Sequence, residues 1–239
     1  MDSSGEARYR YTRATAGLYD TLGISGTTYE IGFAEVGRLL GNIDGQAFLD
    51  FGCGSGRSTR FLTALGARHV YGVDHDRNMV DGALSKGLKG VTFLYIGGGI
   101  PLADAYLDGA VSLNVFIEIR TLRTMRAVCA EIARVLRPGR PFVIMSTNPR
   151  AFGHTFRNFS YPFTGRLSSG DMTTCIVTSE EGSFAIEDTY WAEDDYLGVL
   201  GGSGFKVATV SYPAPPTPEK WTTDEAIVSP FIVIKALRN

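Results

Sequence analysis

Residues 47–56, AFLDFGCGSG, run from an apolar strand into a glycine-rich bend, and RSTRFLTALG (57–66) follows as a helix. Glycines between a first strand and its helix let the backbone turn tightly and come close to a ligand. A dinucleotide fold prefers G-x-G-x-x-G at this place, with pyrophosphate on the helix N-terminus. Here the run is Gly52-Cys53-Gly54-Ser55-Gly56-Arg57, so the last glycine comes one place early and Arg57 takes its position. Asp50 stands just before the bend, where a second anion would oppose pyrophosphate but would suit an ammonium group. A second carboxylate, Asp74, ends HVYGVD (69–74), 24 residues beyond Asp50. A carboxylate at that strand end accepts the hydroxyls of a ribose. Asp76 reads as the cap of the following helix. Taken alone, the glycines are a weak signal, and a tight βα turn with no ligand is the lesser reading.

Outward from this stretch, apolar strands alternate with helices. Residues 27–41 read as an amphipathic helix behind an N-terminal arm, 1–26. Strands are predicted at 91–96, 109–116 and 141–147, and a long helix at 121–136 stops at RPGR, where proline and glycine punctuate its end. The alternation predicts a mainly parallel sheet covered on both faces. The pattern changes at 149–172, which is rich in Phe, Gly, Ser, Arg and Tyr. MTTCIVTSEEGSFAIEDTYW (172–191) follows as a hairpin turning at Glu181-Gly182. The segment 149–191 is an insertion over the ligand crevice or a surface excursion, and its place after a central strand favours the crevice. A short helix from AEDDYLGVL and strands at 207–213 and 231–238 close the chain.

The 239 residues are 44% hydrophobic and 20% charged, with a formal net charge of -2. That composition suits one soluble domain, 1–239. Lysines and arginines are scattered, which speaks against a nucleic-acid partner. Cys53, Cys129 and Cys175 lack metal-ligand spacing and read as free thiols of a reducing compartment, so no metal is expected. No apolar run reaches membrane-spanning length and the start has no signal-peptide core, which together imply a cytoplasmic protein without membrane contact. A monomer and a homodimer are both compatible with the sequence.

A ligand with a ribose, a cationic amine and no phosphate describes S-adenosylmethionine. FLDFGCGSG, VYGVD and EIARVLRPGRPFVI resemble the first motif, the second motif and the helix-to-fifth-strand stretch of the class I S-adenosylmethionine-dependent methyltransferases. The resemblance covers about residues 45–148. It implies an α/β, Rossmann-like, seven-stranded, mainly parallel sheet with an antiparallel last strand, helices on both faces and a small lid insertion. Carried across by position, Asp50 and the backbone around Gly52 and Gly54 hold the methionine part, Asp74 the ribose, and His75 lies beside the adenine. An N-terminal lid brings Tyr19 to the methionine end or the substrate. Asn114, at the end of the fourth strand, faces the sulfonium or closes a turn. One position departs from the family: where many members place an acidic residue for the adenine amino group, this chain has Ile96 or Gly97. Ile96 and Leu102 are then expected as apolar adenine walls, at a cost on the order of 1 kcal/mol for the missing hydrogen bond.

Methyl transfer requires alignment of a nucleophile and exclusion of water, with a base only where a proton must leave. Two residues are candidates. Glu118 either orients an amine or indole N–H, or pairs with Arg120 or Arg123. His154 either takes a proton or packs inside an aromatic lid. Phe152, Phe156, Phe159, Tyr161 and Trp191 are candidate walls for a flat substrate. The acidic run 187–195 either attracts a cationic or N–H-bearing substrate or forms a solvated hairpin edge. A compact core with an aromatic insertion is similar to bacterial natural-product tailoring enzymes, including those that methylate an indole carbon (C3) of tryptophan-derived compounds such as cyclodipeptides. O- or N-methylation of a small molecule is the alternative. From other classes, an NAD(P)-dependent oxidoreductase and a non-catalytic nucleoside-binding module remain open.

Overall fold

The structure, a computed structural model, describes residues 12, 15, 17, 18 and 21–239. Tyr19 and most of the N-terminal arm, 16 of its 26 residues, lie outside the described residues. In chain order the elements are α1 (Thr28–Leu40), β1 (Ala47–Phe51), α2 (Arg57–Ala64), β2 (His69–Asp74), α3 (Arg77–Leu84), β3 (Val91–Tyr95) and β4 (Gly109–Leu113). A 3₁₀ turn (Phe116–Glu118) leads to α4 (Leu122–Val135) and β5 (Pro141–Thr147). Then come β6 (Phe159–Ser160), β7 (Met172–Ser179), β8 (Gly182–Thr189), α5 (Glu193–Gly201), β9 (Phe205–Ser211) and β10 (Phe231–Arg238).

Seven strands form one sheet in the order β3-β2-β1-β4-β5-β10-β9. The pairs from β3 through β5 are all parallel, and β10 runs antiparallel to both neighbours. The expected mainly parallel sheet with its antiparallel last strand is therefore present. The fourth strand ends at Leu113, three residues earlier than predicted, because the chain turns at Asn114 and enters a 3₁₀ turn.

Period-2 alternation places the two faces of this sheet in two separate cores. Phe48, Val70, Val111, Val143, Met145 and Val233 join Phe33 and Val36 of α1 and Leu62 of α2. Leu49, Val73, Ala110, Ile144, Ile232 and Ile234 join Met125, Cys129 and Ile132 of α4 and Tyr196 of α5. Both faces are thus buried, which explains why the central strands read as nearly continuous apolar runs.

The chain moves outward from β1 to β2 and β3, then crosses back to β4 on the other side of β1. Such a reversal opens a crevice at the carboxyl ends of the two strands. Over this crevice lies a second, three-stranded antiparallel sheet, β6-β7-β8. Its inward residues Phe159, Cys175, Val177, Phe184 and Ile186 merge with the α1-side core. The hairpin itself was legible in the sequence; the short strand β6 that joins it was not.

Candidate active site

The bend after β1 is built from backbone geometry that glycine alone adopts freely. Gly52 has φ 73°, and a Cβ there would fall 2.2 Å from Val115 Cγ2. Gly54 has φ 53° and opens toward space, its nearest neighbour being Met79 Sδ at 4.0 Å from an added Cβ. Asp74 ties this bend to the next strand. Its Oδ2 accepts from Gly54 N at 2.8 Å, and its Oδ1 accepts from Asp76 N at 2.8 Å. A carboxylate offers about four lone-pair sites, so two remain for hydroxyls. Burial raises the Asp74 pKa, against the opposing backbone hydrogen bonds. Asp76 caps α3 through Asn78 N and Met79 N, as the sequence suggested.

Asp50 is fully buried beneath the bend. Its Oδ2 accepts from Ser58 Oγ at 2.7 Å and Thr59 Oγ1 at 2.5 Å, while Oδ1 has no hydrogen-bond partner among the described residues. Burial first, and the Asp74 charge as a minor addition, push its pKa up to about 6. An unsatisfied carboxylate oxygen of this kind fits a cationic amine.

Two cavities meet at the end of β4. The first is lined by Gly52, Gly54, Asp74, His75, Asp76, Met79, Leu113 and Val115, with Asn114 and Glu118. The second is lined by Tyr29, Phe159, Tyr161, Cys175, Asp188 and Phe231, again with Asn114 and Glu118. Asn114 holds a left-handed φ of 60°, a conformation asparagine tolerates better than most residues. Its backbone N–H donates to Met145 O at 2.7 Å, and its buried Nδ2 lacks a hydrogen-bond partner among the described residues.

The sequence candidates separate accordingly. Gly52, Gly54, Asp74, His75, Asn114 and Glu118 line the first cavity, and Phe159 and Tyr161 the second. Ile96 does not line either. It lies one residue past the end of β3 and is buried in the α4-side core, against which Leu102 also packs. Trp191 is likewise buried in that core and donates from Nε1 to Ile119 O at 3.0 Å. Phe156 packs tilted against Phe159 at 4.9 Å and Phe152 tilted against Tyr161 at 4.4 Å, and neither lines either cavity, so both support walls rather than form them. His154 is also outside both cavities. Its Nδ1 lies 3.0 Å from Asp224 Oδ2, an anchor that also receives Thr155 N. Arg120 bonds Glu187 at 2.7 Å.

Asp188, a member of the acidic run 187–195, lines the second cavity, as do Cys175, Thr147, Tyr29 and Phe231, which were not read from sequence as site residues. Asp188 is 2% exposed. Its Oδ2 accepts from Tyr161 OH at 2.6 Å, and Thr147 Oγ1 lies 2.9 Å from the same phenol oxygen. Burial drives the Asp188 pKa up to about 7, despite that hydrogen bond. The acidic run 187–195 is therefore split: Glu187 faces out to Arg120, Asp195 closes the start of α5, and Asp188 points inward. The alternation of MTTCIVTS against GSFAIEDT carries the signal, since it puts Asp188 in phase with Phe184 and Ile186.

A glycine bend, a carboxylate beside it with lone pairs to spare, another buried beneath it and a switch-point crevice form the arrangement in which open α/β sheets bind nucleoside ligands. Residues 48–139 match the family profile described as a methyltransferase domain. The chain is 30% identical over 178 residues to N-demethylindolmycin N-methyltransferase of Streptomyces griseus, covering 71% of this chain and 75% of that one. It is 32% identical over 150 residues to an O-methyltransferase of Aspergillus nomiae, covering 57% and 64% respectively. A crystal structure of an S-adenosylmethionine-dependent methyltransferase from Mesorhizobium loti shares the fold with a TM-score of 0.63 at 21% identity, covering 90% of this chain and 100% of that one. The chain belongs to the S-adenosylmethionine-dependent methyltransferases, and S-adenosylmethionine is its cofactor.

Proposed function

We propose that this chain methylates a small aromatic acceptor seated beneath the lid, with an indole-like ring as the preferred substrate and carbon C3 of a tryptophan-derived compound, such as a cyclodipeptide, as the acceptor atom. The observation that carries this reading is the sharing of Asn114 and Glu118 between the two cavities. One cavity has the Asp74 carboxylate and the open glycine backbone that a nucleoside needs, with Asp50 buried beneath the bend rather than on the cavity wall; the other has aromatic walls that suit a flat ring. Bound S-adenosylmethionine supplies a methyl group on a cationic sulfur, open to in-line displacement. Asp50 would hold the ammonium end through its unpartnered Oδ1, Asp74 the ribose hydroxyls and His75 the adenine side. Asn114 and Glu118 stand at the boundary where acceptor and donor are aligned and from which water is excluded.

His154 is proposed as a lid anchor rather than a base, since Asp224 engages it and carboxylates line the cleft instead. A second reading, methylation at nitrogen or oxygen, draws support from the relatives: that of Streptomyces griseus is an N-methyltransferase and that of Aspergillus nomiae an O-methyltransferase. Mass spectrometry of reactions with indole-bearing cyclodipeptides, phenols and amines, with NMR of each product to locate the new methyl, tests both. A product heavier by one methyl at C3 supports the first reading and a methyl on nitrogen or oxygen the second. Absence of methylated product with every acceptor would contradict both.

A further inference from the structure

Asp188 breaks the chemistry of its own strand face. Its inward neighbours are Phe184 and Ile186 on β8 and Cys175 and Val177 on β7, all of them buried. Nothing in the packing of a lid sheet requires a carboxylate there, and burying one costs several kcal/mol unless it is paired. This one is half paired. Oδ2 accepts from Tyr161, which Thr147 steadies, while Oδ1 is buried with no hydrogen-bond partner among the described residues. Asn114 Nδ2, lining the same cleft, is a buried donor in the same condition. Buried polar groups are nearly always satisfied, so an orphan acceptor and an orphan donor in one cleft define what must enter it. The occupant brings a donor for Asp188 and an acceptor or π-face for Asn114.

We infer that Asp188 is the specificity-determining residue of the cleft, admitting rings that carry an N–H or O–H donor, with Tyr161 fixing the plane of its carboxylate. The inference rests on the proposed reading of this cleft as the acceptor's site. A site built around a hydrogen bond rejects an analogue that lacks the donor far more strongly than an apolar slot rejects an extra methyl.

The test uses the full chain loaded with S-adenosylhomocysteine and two probes, indole and 1-methylindole, which differ by replacement of the N–H hydrogen with methyl. Calorimetry is expected to show indole binding about 10-fold or more tighter. In Asp188→Leu the preference should vanish while S-adenosylhomocysteine affinity is retained. If that variant fails to fold by circular dichroism, Tyr161→Phe replaces it, with the preference expected to fall about threefold or more. No preference in the wild-type protein, including no binding of either probe, overturns the inference. So does a preference that survives whichever variant is read. Methyl transfer is assayed separately. Its absence alongside a retained preference would remove the proposed reaction and leave the selectivity of Asp188 standing.

Discussion

The cofactor half and the lid half of this protein solve opposite problems. Around β1 and β2 a carboxylate, a glycine bend and a second carboxylate lie close in sequence, and each is held by neighbours in the same two βα units. In the lid, the cleft is assembled from α1, the end of β4, the end of β5, β6, β7, β8 and β10, which are scattered over two hundred residues of chain. The proposed nucleoside site rests on backbone and fixed charges, so it should tolerate little change in main-chain geometry. The proposed acceptor cleft rests on side chains of a sheet surface, where exchange of residues should alter what fits and leave the fold in place.

That contrast can be broken most severely at the bend. Gly52→Val adds a side chain at φ 73° into Val115, and S-adenosylhomocysteine affinity is expected to fall about 100-fold or more by calorimetry. Asp74→Ala removes the ribose acceptor and the tie to Gly54, with an expected loss of roughly 10–100-fold. Unchanged affinity in either variant would show that the nucleoside lies elsewhere.

The lid should respond in pH dependence rather than cofactor affinity. Asp188 faces Tyr161 beside β6, Cys175 on β7 and Tyr196 on α5, with Glu118 across the cleft. Its folded pKa is raised from 3.8 to about 7, so the folded state keeps a proton that the unfolded chain has released. The associated stability is fully present below pH 3.8 and is lost as pH rises through about 7. Asp188→Asn cannot titrate, and its melting temperature relative to the wild type should therefore climb between pH 4 and pH 8. The change corresponds to a few kcal/mol, on the order of one per pH unit across that window. A constant difference across pH would place the raised pKa elsewhere.

The smallest effect is expected at His154. Its pair with Asp224 is partly exposed, and such pairs contribute about 0–1 kcal/mol. His154→Ala should leave S-adenosylhomocysteine affinity unchanged and turnover within about twofold. A loss of turnover of a hundredfold or more would restore it as a base.

The sheet, the glycine bend and the two carboxylates beside it were legible because their information is local. Alternating strands, Asp50 with its glycines and Asp74 at the end of β2 each declare themselves within a few residues. The cleft was only half legible. Phe159 and Tyr161 could be picked out as aromatics in an insertion, but Phe152, Phe156 and Trp191 look identical in sequence and face elsewhere, because strand register decides the side and β6 is only two residues long. His154 drew attention by its chemistry, and a partner 70 residues away, Asp224, determines what it does. Asp188 was concealed by its neighbours: Glu187, Glu193, Asp194 and Asp195 make the run look solvated, and only the pairing of β7 with β8 shows which acid turns inward.

The most direct measurement is a crystal structure of the full chain with S-adenosylhomocysteine and indole bound together. The expected result has the ribose on Asp74, the amino group against Asp50, and the sulfur facing the ring across Asn114 and Glu118. A nucleoside lying away from those carboxylates, or a ring bound outside the cleft of Tyr161 and Asp188, would contradict the shared boundary on which the proposed reaction depends.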